Sequence, residues 1–316
     1  MENLLFIGPS FFGYEKDIKK DLSKRYCVYY KCEYPFGNPR VYYTIEHLFR
    51  FLVKYIWKRY NKSVLKLVKS KGIKKAFIIR GKHLSESLIS TLVNEFGIEI
   101  VCYQWDSVKN NPNSLMLANY STRIYTFDME DSKNTPDFLY LPLFYSWRDD
   151  YCLRRTDQYD IFYLASYTTL RHDILKELRN VANNNGLTLW YKLYLPFILY
   201  LRMLVKGHPV PLKDVSFFKL SRKKYYYLLS NTKLSVDAPS PSQTGASMRT
   251  IETLSLKKKL ITTNRNVMKE EFFSSDNIYF WPQDINRISA IVNSEFDEFS
   301  YNHIKNIPQW LQYMGV

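Results

Sequence analysis

The chain has 316 residues, 46% of them hydrophobic and 17% aromatic, which suits two packed cores and excludes a disordered chain. Lys and Arg outnumber Asp and Glu by 45 to 30, and the resulting +15 favours polyanionic partners without choosing among nucleoside diphosphates, anionic lipids and nucleic acid. The cysteines Cys27, Cys32, Cys102 and Cys152 lack metal-ligand spacing and are expected as reduced thiols of a cytoplasmic protein.

The opening Met1–Gly8 has no basic leader and runs straight into a strand at 3–7, so no signal peptide is expected. A polar helix over about 14–24 and a strand Cys27–Tyr30 follow. Residues 44–69 read as a long basic amphipathic helix with a break near Asn61. Strand Lys75–Ile79, helix Ser85–Glu95, strand Glu99–Tyr103 and strand Arg123–Phe127 precede the Leu141-Pro-Leu segment. The charge-rich run Trp147–Gln158 is the expected linker. The rhythm then restarts with strand Asp160–Ala165, helix Leu170–Ala182 and strand Leu187–Tyr191. After an insertion come helix Ser221–Ser230, strand Lys233–Asp237, helix 247–256, strand Lys259–Thr262 and a last helix over about 299–314. Strands alternating with helices predict parallel sheets with right-handed crossovers. The expected fold is α/β, with Rossmann-like domains at 1–148 and 149–300 facing across a cleft and a C-terminal helix at 301–316.

The insertion Trp190–Lys206 is strongly apolar, but Lys192, Pro196 and Arg202 interrupt it. Such interruptions fit a helix lying in a membrane interface, with no run of about 18 uncharged apolar residues to span a bilayer. Peripheral membrane contact through 190–206 is therefore expected, with flanking Trp and Tyr at headgroup depth. The basic face of helix 44–69, with Lys54, Lys58, Arg59, Lys62, Lys66 and Lys69, either adds attraction to anionic lipid or is simply solvated.

The most informative stretch is Ser240–Leu254 followed by Lys257–Asn264: strand, glycine-containing turn, helix, basic turn and buried strand. A polar turn opening a helix offers backbone N–H groups and a favourable dipole to a phosphate. Arg249 and Glu252, three residues apart, share one face of that helix. That places a cation for a diphosphate beside a carboxylate for sugar hydroxyls, although an ordinary αβ unit with solvated Arg and Glu shows the same spacing.

This stretch resembles the donor half of GT-B glycosyltransferases, most closely bacterial lipopolysaccharide and capsule glycosyltransferases with a Gln-Thr-Gly…Met-Arg-Thr-Ile-Glu signature, here Gln243–Gly245 and Met248–Glu252. The resemblance implies a donor site built from Gln243, Thr244, Gly245, Ala246, Ser247, Arg249, Glu252 and Thr253. The amides of Gly245, Ala246 and Ser247 would face the diphosphate, Arg249 would neutralise the leaving group, and Glu252 would accept hydrogen bonds from the ribose. Gln243 and Thr244 would lie near the donor sugar, unless Thr244 merely caps the helix. The wider superfamily's Glu-x7-Glu motif matches at Glu252 but has Thr244 in place of its first Glu, which favours an inverting displacement. Arg171, after the first strand of the second half, points to a second cation.

An acceptor base is expected on loops of the first half. Asp106, beside Trp105 as a sugar-stacking ring, His83 in Arg80-Gly-Lys-His, and the pair Asp128 and Asp131 are the candidates. The loop Gly8-Pro9 to Gly13 resembles the glycine-bearing acceptor loop of these enzymes. The resemblance further implies a metal-independent glycosyltransferase with a nucleotide-sugar donor, a lipid-linked or oligosaccharide acceptor, no other cofactor and no nucleic-acid partner. It would work in the cytoplasm at the inner membrane's cytoplasmic face, building lipopolysaccharide O-antigen, core or capsule. Polyol-phosphate transfer and nucleic-acid binding by a basic protein are the alternative readings.

Overall fold

The computed structural model describes residues 1–146, 157–208, 210–241 and 243–316. Most of the expected linker at Trp147–Gln158, with Cys152, lies outside the described residues. The chain divides into two compact units, one of Met1–Leu143 with Lys305–Val316, the other of Phe144–Ile304.

The first unit is a six-stranded parallel sheet of β1 (Glu2–Gly8), β2 (Tyr26–Cys32), β3 (Lys75–Ile79), β4 (Glu99–Gln104), β5 (Arg123–Thr126) and β6 (Phe138–Tyr140) in the order β2-β1-β3-β4-β5-β6. Its central strands are near-continuous apolar runs because helices cover both faces. Leu4, Leu5, Phe6, Ile7 and Ala76 to Ile79 are all completely buried. One face packs on Val64 and Val68 of α3 (Arg50–Lys71) and on Leu88 of α4 (Glu86–Ser90). The other receives the end of the chain: α13 (Ile307–Met314) buries Trp310 against Tyr103 and Phe77, with ring centroids 4.6 and 5.9 Å away. Lys75 Nζ donates to the Gly315 carbonyl at 2.8 Å and closes this return.

The second unit holds β8 (Tyr159–Ser166), β9 (Leu189–Tyr194), β10 (Val215–Ser216), β11 (Thr232–Asp237), β12 (Lys259–Thr262) and β13 (Ile278–Phe280), all parallel, in the order β10-β9-β8-β11-β12-β13. A short strand, β7 (Phe144–Tyr145), lies outside this sheet. α7 (Thr169–Asn184) packs Ile174, Leu175 and Leu178 onto one face, and α9 (Arg222–Ser230) packs Tyr226, Leu228 and Leu229 onto the other.

Several expected boundaries shift. The helix expected at 44–69 is two helices, α2 (Pro39–Leu48) and α3, separated at Phe49, whose φ of −133° is not helical. Asn61 does not break α3; its side chain donates to Ser85 Oγ, the cap of α4, at 2.9 Å. The last helix divides into α12 (Glu298–Asn302) and α13, which restarts at a capping box of Asn306 and Gln309. The apolar insertion is half strand: β9 takes Leu189–Tyr194, and only Phe197–Val205 forms a helix, α8.

Candidate functional site

Both strand orders reverse direction along the sheet, and each reversal opens a crevice at the carboxyl ends of the strands where ligands bind in open α/β sheets. In the second unit the reversal lies between β8 and β11. The chain leaving β8 leads to Arg171 in the first turn of α7, and the chain leaving β11 leads through Ala238 to Gln243–Ser247.

Arg171 Nε donates to the Ala238 carbonyl at 2.8 Å and Nη1 to the Ser166 carbonyl at 3.1 Å, so it clamps the two loops together. Asn264, just past β12, donates to the Thr244 and Gly245 carbonyls at 3.1 Å each. Gln243 donates to the Gly245 carbonyl at 3.3 Å. The loop is thereby a fixed turn that delivers the chain to α10 (Met248–Ser255). Ser247, not Thr244, caps that helix: its hydroxyl accepts from the Thr250 amide at 3.1 Å and donates to Asp237 at 2.5 Å. Gly245 and Ala246 are buried, while Gln243, Thr244 and Ser247 are half-buried.

Arg249 and Glu252 lie on the same face of α10, as their spacing requires, but that face is occupied. Arg249 donates through Nη1 to the Leu164 carbonyl of β8, and its guanidinium sits 5.9 Å from the Tyr225 ring. Its Nε is buried with no hydrogen-bond partner among the described residues. Glu252 is only 2% exposed. Its carboxylate accepts the Tyr225 hydroxyl at 2.8 Å and the buried Tyr226 hydroxyl. Burial first, then the neighbouring Glu252 charge, pushes the Tyr225 phenol far above its ordinary value, so it stays protonated and keeps donating. Thr253 is fully buried. In this conformation two tyrosines of α9 hold the carboxylate at 252.

In the first unit the reversal lies between β1 and β3. The β1 loop turns at Gly8, whose carbonyl accepts from the Tyr30 hydroxyl at 3.0 Å, passes Pro9, and ends at Gly13, which starts α1 (Tyr14–Leu22) with φ +81°. Trp105, after β4, sits 5.6 Å from Tyr14 at the foot of that loop. Asp106 accepts from Arg80 at 3.4 Å and remains about one-third exposed. His83 stands among Tyr34, Tyr42 and Trp57, with ring centroids 5.2 to 6.1 Å away. Burial, with Lys82 and Arg80 nearby, lowers its pKa and keeps the imidazole neutral at pH 7. Asp128 and Asp131 have local duties: Asp128 caps α6 (Met129–Asn134), and Asp131 accepts the Val108 amide at 2.7 Å.

The residues that tie this group together are Arg80 and Glu33. Glu33 is completely buried and accepts from Arg80 Nη2 and from the Lys82 amide. Arg80 has φ +68°, unusual for a side chain of its size, and Asn111 Nδ2 holds its carbonyl at 2.9 Å. The next residue, Gly81, also has positive φ, and an added Cβ would stand 2.8 Å from Leu117 Cδ1. Gly81→Ala should therefore lower stability by about 2 kcal/mol, which chemical denaturation would detect.

No protein-family model matches the chain, and no curated protein matches it in sequence. Solved structures do match along its whole length. A glycosyltransferase from Rickettsia africae superposes with a TM-score of 0.59 at 10% identity, covering 99% of this chain and 97% of that one. A UDP-GlcNAc 2-epimerase from Neisseria meningitidis, seen with UDP-GlcNAc bound, gives 0.56 at 9% identity over 100% and 98%. The lipopolysaccharide outer core galactosyltransferase WaaB gives 0.53 at 11% identity over 98% of each chain. At such identities the likeness establishes the fold: two Rossmann-like α/β units of the GT-B type, an architecture used by sugar transferases and by an epimerase alike.

Proposed function

We propose that the protein is a glycosyltransferase that moves a sugar from a nucleotide-activated donor to a growing, lipid-linked surface glycan of the lipopolysaccharide or capsule type. The observation that carries this is the clamped loop Gln243–Ser247 at the strand-order reversal of the second unit, opening a helix and flanked by Arg171 and Arg249. Backbone amides and the positive end of α10 suit a diphosphate there. Glu252 engages the ribose once Tyr225 releases it.

Transfer needs a base for the acceptor hydroxyl. We assign Asp106, with Arg80 as the residue that positions its carboxylate and Trp105 as a stacking face. Thr244 in place of a glutamate fits an inverting displacement, in which one base suffices.

The test is binding. Full-length protein should show a raised melting temperature with at least one nucleoside diphosphate. Tyr225→Phe removes one hydrogen bond from Glu252 and should tighten that affinity about tenfold, whereas Asn264→Ala, which unpins the loop, should weaken it by a similar factor. A panel of nucleoside diphosphates without any stabilisation would overturn the reading. The likeness to an epimerase favours a second reading, distinguished by conversion of the nucleotide-sugar itself with no acceptor present.

Membrane contact rests on α8. Tyr200 and Met203 pack on the unit's core and Phe197 meets the Phe217 ring at 5.2 Å, while Ile198 and Val205 are 66% and 89% exposed, and Arg202 and Lys206 stand beside them. No helix among the described residues is long and apolar enough to cross a membrane, so the helix is proposed to lie in the interface. The double variant Ile198→Glu/Leu201→Glu should stop sedimenting with anionic vesicles, and unchanged sedimentation would contradict this contact.

A further inference from the structure

The first unit carries a groove that none of the residues proposed for the donor site or the acceptor base lines. It lies between the end of β2 with the following loop and the outer face of α3, and encloses about 540 Å³. Tyr34, Phe36, Tyr55 and Tyr60 present aromatic surface to it, and Lys31 and Arg59 line it as cations. The volume falls within the usual range for small-ligand sites.

Three features define what fits. Tyr55 is 59% exposed, and Phe36 is also exposed, so their rings are open to a ligand. Tyr60 is buried and its hydroxyl donates to the Cys32 carbonyl at 2.8 Å, which fixes the floor. Neither Lys31 nor Arg59 has a carboxylate partner among the described residues, and no acidic side chain lines the groove. Among the described residues Lys31 donates to Ser63 Oγ at 3.5 Å, and Arg59 lies 5.9 Å from the Tyr55 ring. Flat apolar faces beside two uncompensated cations suit a ring with C–H faces and an attached anion. A neutral sugar leaves the cations unused, and a bare anion leaves the rings unused.

We propose that this groove binds an acidic saccharide, a sugar ring bearing a carboxylate or a phosphate. Rings stack on Tyr55 and Phe36, and Arg59 and Lys31 take the anionic group, Arg59 through its planar fork. Naming it an acceptor subsite rests on the glycosyltransferase reading; the binding itself does not.

The experiment is calorimetric titration of the full-length protein with a glucuronate-containing tetrasaccharide, mannose 6-phosphate, inorganic phosphate and neutral maltotetraose. Either acidic sugar, or both, should bind about tenfold or more tightly than maltotetraose and than phosphate alone, and the pair separates carboxylate from phosphate recognition. Lys31→Ala/Arg59→Ala should remove that advantage, and Tyr55→Ala should weaken every sugar. Lys66→Ala/Lys69→Ala, on exposed positions of the same helix outside the groove, should change nothing. Equal binding of maltotetraose, equal binding of phosphate alone, or equal losses from the two lysine-containing pairs would overturn the proposal, the last by showing only a long-range field. Groove variants should keep the melting shift given by nucleoside diphosphates. A wild type without that shift removes the donor site, whereas acidic-sugar binding lost from the groove alone removes this subsite.

Discussion

Glu33→Ala should destabilise the first unit by about 3–5 kcal/mol, lowering its unfolding temperature by roughly 6–20 °C. The reason is electrostatic. Glu33 is fully buried, and its carboxylate holds both the Arg80 guanidinium and the Lys82 amide. Burial already lowers the Arg80 pKa, countered by the charge of Asp106. Removing Glu33 leaves a largely buried cation with one carboxylate at 3.4 Å and a backbone still held at φ +68°. Glu33→Gln keeps the acceptor oxygen and should cost less. Calorimetry of the two variants provides the comparison, and equal, negligible losses would mean the pair contributes nothing to stability. On the proposed assignment of Asp106 as base, a folded Glu33→Gln protein should also lose turnover more than acceptor affinity, because Arg80 pairs with Asp106.

Trp310→Ala should cost about 3–5 kcal/mol as well, through packing rather than charge. The indole is completely buried against Tyr103 and Phe77, and Leu311 and Met314 beside it are equally buried. The last turn of the chain therefore belongs to the core of the unit that the chain began. Loss of cooperative unfolding in that unit, seen by denaturant titration, is the expected result, and an unchanged transition would show that α13 is dispensable. Trp310→Phe, which retains most of the ring volume, should lose substantially less.

The long buried strands were legible because each holds an uninterrupted apolar run of four or five residues, as in β1, β3 and β8. The short elements were not. β6 and β13 have three residues each, too few to show any period. The return of α13 to the first unit was also hidden, since periodicity reports that a face is apolar but not what covers it. The neighbours that the candidate residues meet were less legible than their place in the fold. Arg171 and Gln243–Ser247 do gather at one edge of the sheet. The tyrosines that hold Glu252 stand 26 and 27 positions earlier, in a stretch that reads as a solvated basic helix start. Likewise Glu33 and Arg80 are 47 positions apart, and only the parallel neighbours β2, β1 and β3 bring them together.

Hydrogen exchange of the full-length protein with and without saturating nucleoside diphosphate tests the central claim most directly. Bound nucleotide should slow exchange in the loop after β8 and across 238–250, and leave the six strands of the first unit unchanged. Failure of every diphosphate to bind, or protection appearing only elsewhere, would contradict a donor site at the carboxyl edge of the second sheet.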